Sequence, residues 1–147
     1  MDLFKKLRFE KEHPGIVFPT VIPLNDSEMR EIRIRLATKV GFPPEVDNLA
    51  LTHHIASVLS PVRRVNAEDP GFDLRQIFHT LRIQTPQRVY INWYRYDRID
   101  QMQFDDLVTF FADLWYPSSD DIEILDSTLM WLLAIDHSGD IGYTRLG

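Results

Sequence analysis

Cysteine is absent from this chain of 147 residues, and lysine is scarce. Without thiols, the protein cannot form disulfides, thiolate nucleophiles, or cysteine-ligated zinc and iron–sulfur sites. All four lysines lie at or before position 39, so a lysine-dependent nuclease site on later strands has no candidate. The charged N-terminal stretch lacks the apolar core of a signal peptide, and no apolar run could span a bilayer. We therefore expect a cytoplasmic protein without a membrane partner.

The common catalytic motifs are missing as well. The chain contains no Walker phosphate loop, no GxGxxG, HExxH or GxSxG motif, and no EF-hand loop. The histidines at 13, 53, 54, 79 and 137 lack metal-binding spacing, and the adjacent pair would point about 100° apart on a helix. We therefore predict no catalytic residue, no cofactor and no metal, in a protein that binds its ligand without transforming it.

Acidic charge is concentrated in the last third of the chain. Residues 1–95 carry 14 Lys and Arg against 11 Asp and Glu, whereas residues 96–147 carry two arginines against 11 acids. The net charge of −6 therefore divides into +3 and −9. Such a field repels nucleic acid and attracts basic proteins, so we expect a basic protein partner and no direct nucleic-acid ligand.

The N-terminal half reads mainly as helices. Prolines at 14, 19 and 23 predict an extended first segment, with an edge strand near residues 16–18 and no helix before Asn25. Asn25 or Asp26 can then cap a helix with Glu28 in its first turn, and Gly41 and Pro43 end it. Further helices are predicted over residues 45–59 and after Asp73.

The C-terminal half reads mainly as strands. Alternating apolar residues predict strands over 88–96, 121–125, 128–136 and 140–146, with a hairpin turn at 137–140. The strand at 128–136 is almost entirely apolar and is therefore expected inside the sheet. One amphipathic helix is predicted from Phe104 to Trp115. With 44 % hydrophobic residues, residues 1–147 are predicted to form a single α+β domain, in which N-terminal helices pack on a mainly antiparallel C-terminal sheet.

The candidate binding residues combine aromatic and acidic side chains near and within the acidic third. Tyrosine beside arginine is typical of binding hot spots, and clustered acids suit a basic partner. Ordinary structural roles are open to the same residues, because acids favour helix N-termini and turns and alternation buries one side of a strand. The predicted contact residues are Tyr94, Tyr96, Asp97, Asp105, Asp106, Asp120, Asp121 and Glu123.

The stretch WYPSSDDIEILDSTLMWLLAIDHSG, residues 115–139, resembles small bacterial proteins of unknown or toxin-immunity function. The resemblance covers about a sixth of the chain and supplies no catalytic residue. It implies an inhibitor that neutralises a basic partner, such as a nuclease toxin. The alternative is a small enzyme in which Asp136 and His137, near Asp120 and Asp121, form a carboxylate–histidine site.

Overall fold

Seven strands form one antiparallel sheet in the computed structural model, which describes residues 1–147. The elements in chain order are α1 (Leu3–Glu12), β1 (Val21–Pro23), α2 (Asp26–Lys39), α3 (Asn48–Val58), β2 (Ser60–Pro61), α4 (Leu74–Thr80), β3 (Arg88–Tyr94), β4 (Arg98–Gln103), α5 (Phe104–Thr109), α6 (Phe111–Leu114), β5 (Ile122–Leu125), β6 (Trp131–Ile135) and β7 (Ile141–Arg145). The strand order is β1-β4-β3-β5-β6-β7-β2. This confirms the predicted α+β fold, and no helix has both the length and the apolar character needed to cross a membrane.

Helices pack on both faces of the sheet, and alternate side chains of each strand point to opposite faces. On one face, Ile91, Ile124 and Leu133 join a core of 19 buried residues that includes Phe78 of α4 and Leu107 of α5. On the other face, a core of 12 buried residues is completed by α2 and α3. The predicted apolar strand is β6, which lies inside the sheet between β5 and β7 as expected.

Local signals in the sequence placed several element boundaries correctly. Asn25 and Glu28 form a reciprocal capping box at the start of α2, and the Asp73 side chain accepts a hydrogen bond from the backbone at the start of α4. Gly139 adopts φ +83° in the turn between β6 and β7. Helix α3 begins three residues later than expected, because Asp47 caps it.

The prediction for the first segment was wrong. A ten-residue helix, α1, precedes the prolines, and the Asp2 side chain caps it by accepting from the backbone N–H of Phe4. Its buried stripe comprises Lys5 and Phe9, so a charged residue stands where an apolar one would have revealed the helix. The edge strand lies at Val21–Pro23 instead of residues 16–18.

Two predictions around β4 were incomplete. The strand expected over residues 88–96 ends at Tyr94, and the chain returns at once as β4, whose polar residues concealed it. The single helix expected from Phe104 to Trp115 is interrupted at Phe110, where φ −108° and ψ 21° separate α5 from α6. The apolar stripe still packs inward on both pieces, with Phe104 and Leu107 buried on α5 and Leu114 on α6.

Candidate binding groove

A tight turn joins β3 to β4 at one end of the sheet. The backbone N–H of Asp97 donates to the Tyr94 carbonyl at 3.0 Å, and Arg95 and Tyr96 have φ of 46° and 62°. Two consecutive positive φ values define a type I′ turn, which Asn and Gly normally occupy. Larger side chains are strained in this conformation by about 1–2 kcal/mol each.

A buried polar network holds this turn in place. The Asn92 side-chain oxygen accepts from the Tyr96 backbone N–H at 2.9 Å, and its amide nitrogen donates to Glu123 Oε1 at 2.7 Å. The Tyr96 hydroxyl donates to Glu123 Oε2 at 3.1 Å. Burial raises the pKa of Glu123, while these two hydrogen bonds act in the opposite direction. Burial also raises the pKa of Tyr96, which therefore stays protonated as a donor.

A groove of about 610 Å³ crosses the sheet beside this turn and is named here the acidic groove. Its floor follows one cross-strand row, in which Glu123 pairs with Ala134, Ala134 with Gly142, and Gly142 with Pro61. Ala134 leaves this row recessed because its side chain is small, whereas the Leu59 side chain packs over Gly142, with its Cβ 3.0 Å from where a Cβ of residue 142 would lie. Helix α3 forms part of one wall, and Tyr94, whose side chain is half exposed, lines the groove from the turn.

Carboxylates outnumber cations around the acidic groove. Its four acids are Asp121, Glu123, Asp136 and Asp140, and Arg95 is its one basic residue, so the formal charge of the lining is −3. The backbone N–H groups of Ser138 and Asp140 hold the Asp136 carboxylate at 2.8 and 3.0 Å. The groove therefore combines carboxylates with small apolar residues, and one of the carboxylates, Glu123, lies in the floor row itself.

Three of the eight predicted contact residues meet at the acidic groove, namely Tyr94, Asp121 and Glu123. Asp97 is exposed in the adjoining turn, whereas Tyr96 is only 2 % exposed and supports the groove from within the core. The prediction that Tyr96 is an anchor on the surface was wrong, because its ring points inward from the turn and its hydroxyl reaches Glu123.

The other three predicted acids lie elsewhere. Asp105 and Asp106 occupy the first turn of α5, at the opposite end of the sheet, and Asp105 forms an ion pair with Arg75 at 2.7 Å. Asp120 forms an ion pair with the buried Lys5 and accepts from the backbone N–H of Tyr116 at 2.8 Å. Asp105 and Asp120 therefore pair within the fold and Asp106 lies in the first turn of α5, the structural roles that the sequence had left open for them.

Asp136 and Asp140 were not among the predicted contact residues, although the antiparallel arrangement of β5, β6 and β7 brings them to the groove. The start of β5 pairs with the end of β6, and the end of β6 with the start of β7. The residues flanking these strands therefore meet at one end of the sheet. Correct strand pairing would have grouped Asp121 with both.

His137 pairs with Asp121, one of the carboxylates that the enzyme alternative placed near it. Its Nδ1 lies 2.9 Å from Asp121 Oδ1, and its backbone N–H donates to the same oxygen at 2.8 Å. The hydrogen bond with Asp121 raises the pKa of His137. Both side chains are more than half exposed, so the pair lies in solvent at the edge of the groove.

The side chains best placed to hold a metal lie on a different part of the surface. One ligand atom each from Glu12, His13 and Asp113 lies within 4.8 Å of the others. His13 Nε2 approaches Asp113 Oδ1 at 2.9 Å, which links the end of α1 to α6. Glu12 is engaged by Arg8 at 2.8 Å, so a metal ion would have to displace both pairs.

Comparison of the chain with models of known protein families, with curated proteins and with solved structures found no match.

Proposed function

We propose that this protein binds and inhibits a basic protein partner, as an immunity protein holds a toxin, and that the acidic groove receives the partner's arginine or lysine side chains. The observation that carries the proposal is the combination in one groove of four carboxylates with apolar lining residues such as Ala134 and Leu59. Arginine and lysine have apolar stems and charged heads, so both parts of such a side chain find a complement in this groove.

The turn beside the groove supports the same proposal. Tyr94 is 50 % exposed, and the Arg95 guanidinium lies over its ring, 4.8 Å from the centroid. A rigid, half-exposed aromatic ring loses little entropy on binding and is a common anchor in interfaces. Because the turn is fixed by the buried network, Tyr94 is already positioned before a partner arrives.

The proposal can be tested with a fluorescein-labelled hexa-arginine peptide and fluorescence anisotropy. We expect Asp121→Lys with Asp140→Lys to weaken binding by about tenfold or more, because charge-assisted contacts are lost. The matched control is Asp105→Lys with Asp106→Lys, which changes the net charge identically, from −6 to −2, at the other end of the sheet. Equal weakening by the two double variants would show non-specific attraction and would refute the groove as the site.

A second variant separates the shape of the groove from its charge. Ala134→Phe leaves every carboxylate in place and fills the floor, so we expect weaker peptide binding with an unchanged dependence on salt. The groove reversal should instead flatten the salt dependence. Unaltered binding by Ala134→Phe would mean that the peptide follows the electric field and does not enter the groove.

The second candidate function is a small hydrolytic enzyme that uses the His137–Asp121 pair as a general acid or base. It is supported by the 2.9 Å contact at the edge of the groove, which orients the imidazole and favours its protonated form. Hydrolysis of p-nitrophenyl phosphate or p-nitrophenyl acetate tests it. Activity above background that His137→Ala abolishes would favour this candidate, and no difference between the variant and the original chain would exclude it for these substrates.

A further inference from the structure

The end of the sheet opposite the acidic groove carries a second large cavity, named here the arginine cavity. Its volume is about 850 Å³, and it lies between the loop after α4, the start of β3, the turn after β5 and the end of β7. Three arginines line it, at positions 82, 88 and 145, against one carboxylate, Asp126. This is the reverse of the charge balance in the acidic groove.

The three arginines are free of carboxylate partners. None of them takes part in any of the six ion pairs of the structure. Arg145 makes one long hydrogen bond, from Nη2 to the Leu81 carbonyl at 3.3 Å, and its guanidinium lies 5.8 Å from the centroid of the Tyr143 ring. The Asp126 carboxylate is engaged within its own turn, where it accepts from the Thr128 backbone N–H at 3.0 Å. The guanidinium groups therefore keep most of their donors available.

The remaining polar lining of the cavity also suits an anion. Amide and hydroxyl side chains surround the arginines, and they belong to Gln84, Thr85, Gln87, Gln101, Ser127 and Thr128. Strand β3 spans roughly 20 Å over its seven residues, about twice the Debye length at 0.1 M salt. The acids of the groove are therefore largely screened from an anion bound at this end.

Arg82 occupies a backbone position that favours glycine. Its φ is 56°, and the backbone N–H of Ile83 donates to the Phe78 carbonyl at 2.9 Å, closing the end of α4. This is the Schellman arrangement, in which glycine is the usual residue at the left-handed position. Glycine would fit this backbone conformation better than arginine, so a glycine at position 82 would remove the guanidinium without straining the end of α4.

We propose that the arginine cavity is a binding site for a phosphate-bearing small molecule with at least two negative charges. Arginine presents paired N–H donors that match phosphate oxygens, and three such groups around one cavity can hold neighbouring phosphates. Tyr90 and Met130 line the same cavity and provide apolar surface for an organic portion of the ligand. This site uses none of the residues of the acidic groove.

The test is isothermal titration calorimetry with pyrophosphate, inorganic phosphate and adenosine diphosphate. Pyrophosphate should bind saturably. Arg88→Gln should weaken its affinity by about tenfold or more, which is the usual effect of losing a charge-assisted contact. Arg82→Gly should weaken it similarly without lowering the thermal midpoint, because glycine relieves the left-handed backbone. Tighter binding of adenosine diphosphate than of pyrophosphate would identify an organic phosphate, and equal binding would identify the phosphates alone.

Matched variants make the outcome specific. Arg63→Gln removes an exposed arginine remote from the cavity lining and should leave pyrophosphate binding unchanged, as should Asp121→Lys with Asp140→Lys in the acidic groove. Absence of saturable pyrophosphate binding would overturn the proposal. Equal weakening of pyrophosphate binding by Arg63→Gln and by Arg88→Gln would also overturn it. Hexaglutamate that binds as tightly as pyrophosphate, with the same sensitivity to Arg88→Gln, would overturn it too, because this result would indicate a site for an acidic peptide. The proposal for the acidic groove is tested separately, by the binding of the hexa-arginine peptide.

Discussion

Replacing Tyr96 with Phe removes one hydroxyl from the network beneath the acidic groove. The hydroxyl donates to Glu123 at 3.1 Å, and the tyrosine is 2 % exposed, so water cannot readily replace it. A hydrogen bond to a charged group contributes about 1.5–3 kcal/mol, and one between neutral groups about 0.5–1.5 kcal/mol. The cost of Tyr96→Phe should therefore depend on whether Glu123 is ionised.

The direction of this pH dependence follows from the raised pKa of Glu123. A carboxyl group whose pKa is raised by folding stabilises the native state fully below its unfolded pKa, and that stabilisation is lost as the pH rises through the folded pKa. Removing the Tyr96 hydroxyl raises the folded pKa further, because the hydroxyl favours the ionised form. The loss of stability in Tyr96→Phe should therefore be smaller at pH 4 than at neutral pH.

Urea unfolding of both proteins between pH 4 and 8 measures this difference. We expect the cost of Tyr96→Phe to rise from about 1 kcal/mol at the acid end to about 2–3 kcal/mol at pH values above the folded pKa of Glu123. In a Glu123→Gln background the cost should stay near its acid value at every pH, since glutamine does not titrate. A cost of Tyr96→Phe that does not change with pH would refute the assigned role of Glu123.

Three further predictions concern other parts of the molecule. Phe111→Ala should cost about 3–5 kcal/mol in thermal or urea unfolding, because Phe111 is buried and stacks on Trp115; near-original stability would contradict its core role. Lys5→Met should lower the free energy of unfolding by about 2–4 kcal/mol, because it leaves the partly buried Asp120 carboxylate without its cation. Adding Asp120→Asn should restore part of this stability, and no restoration would contradict the role of the ion pair. Asp121→Asn should lower the pKa of His137 toward 6.5 in an NMR titration, and an unchanged pKa would contradict the pairing.

Sequence patterns predicted the parts of the fold that depend on local chemistry. Caps, apolar alternation and turn residues located α2, α4, β3 and the three C-terminal strands. Two of the missed elements, α1 and β4, each bury a charged residue among apolar ones. In α1 the buried Lys5 reaches Asp120, and in β4 the 2 % exposed Asp100 accepts from Trp93 Nε1 at 2.8 Å. A hydrophobic pattern cannot reveal such residues, because it assigns every charged residue to the surface.

The candidate site was less predictable than the fold, because it depends on which strand ends meet. Composition located the acidic third, and the sequence singled out Tyr94, Asp121 and Glu123. It could not separate them from Asp105, because two acids 16 residues apart can lie at the same end or at opposite ends of a sheet. The antiparallel pairings of β3 with β4 and with β5 decide this, and the pairing of β3 with β5 is a long-range contact that local patterns do not reveal.

The residues in the turn between β3 and β4 are not the residue types that its backbone conformation favours. Asn-Gly at positions 95 and 96 would suit the two positive φ values better than the residues present. That sequence would remove both the guanidinium that covers Tyr94 and the hydroxyl that reaches Glu123. The two hydrogen bonds of Asn92 offset part of the backbone strain and fix the turn. The residues of this turn are therefore explained by the surface that they build beside the groove, since the backbone conformation alone would favour others.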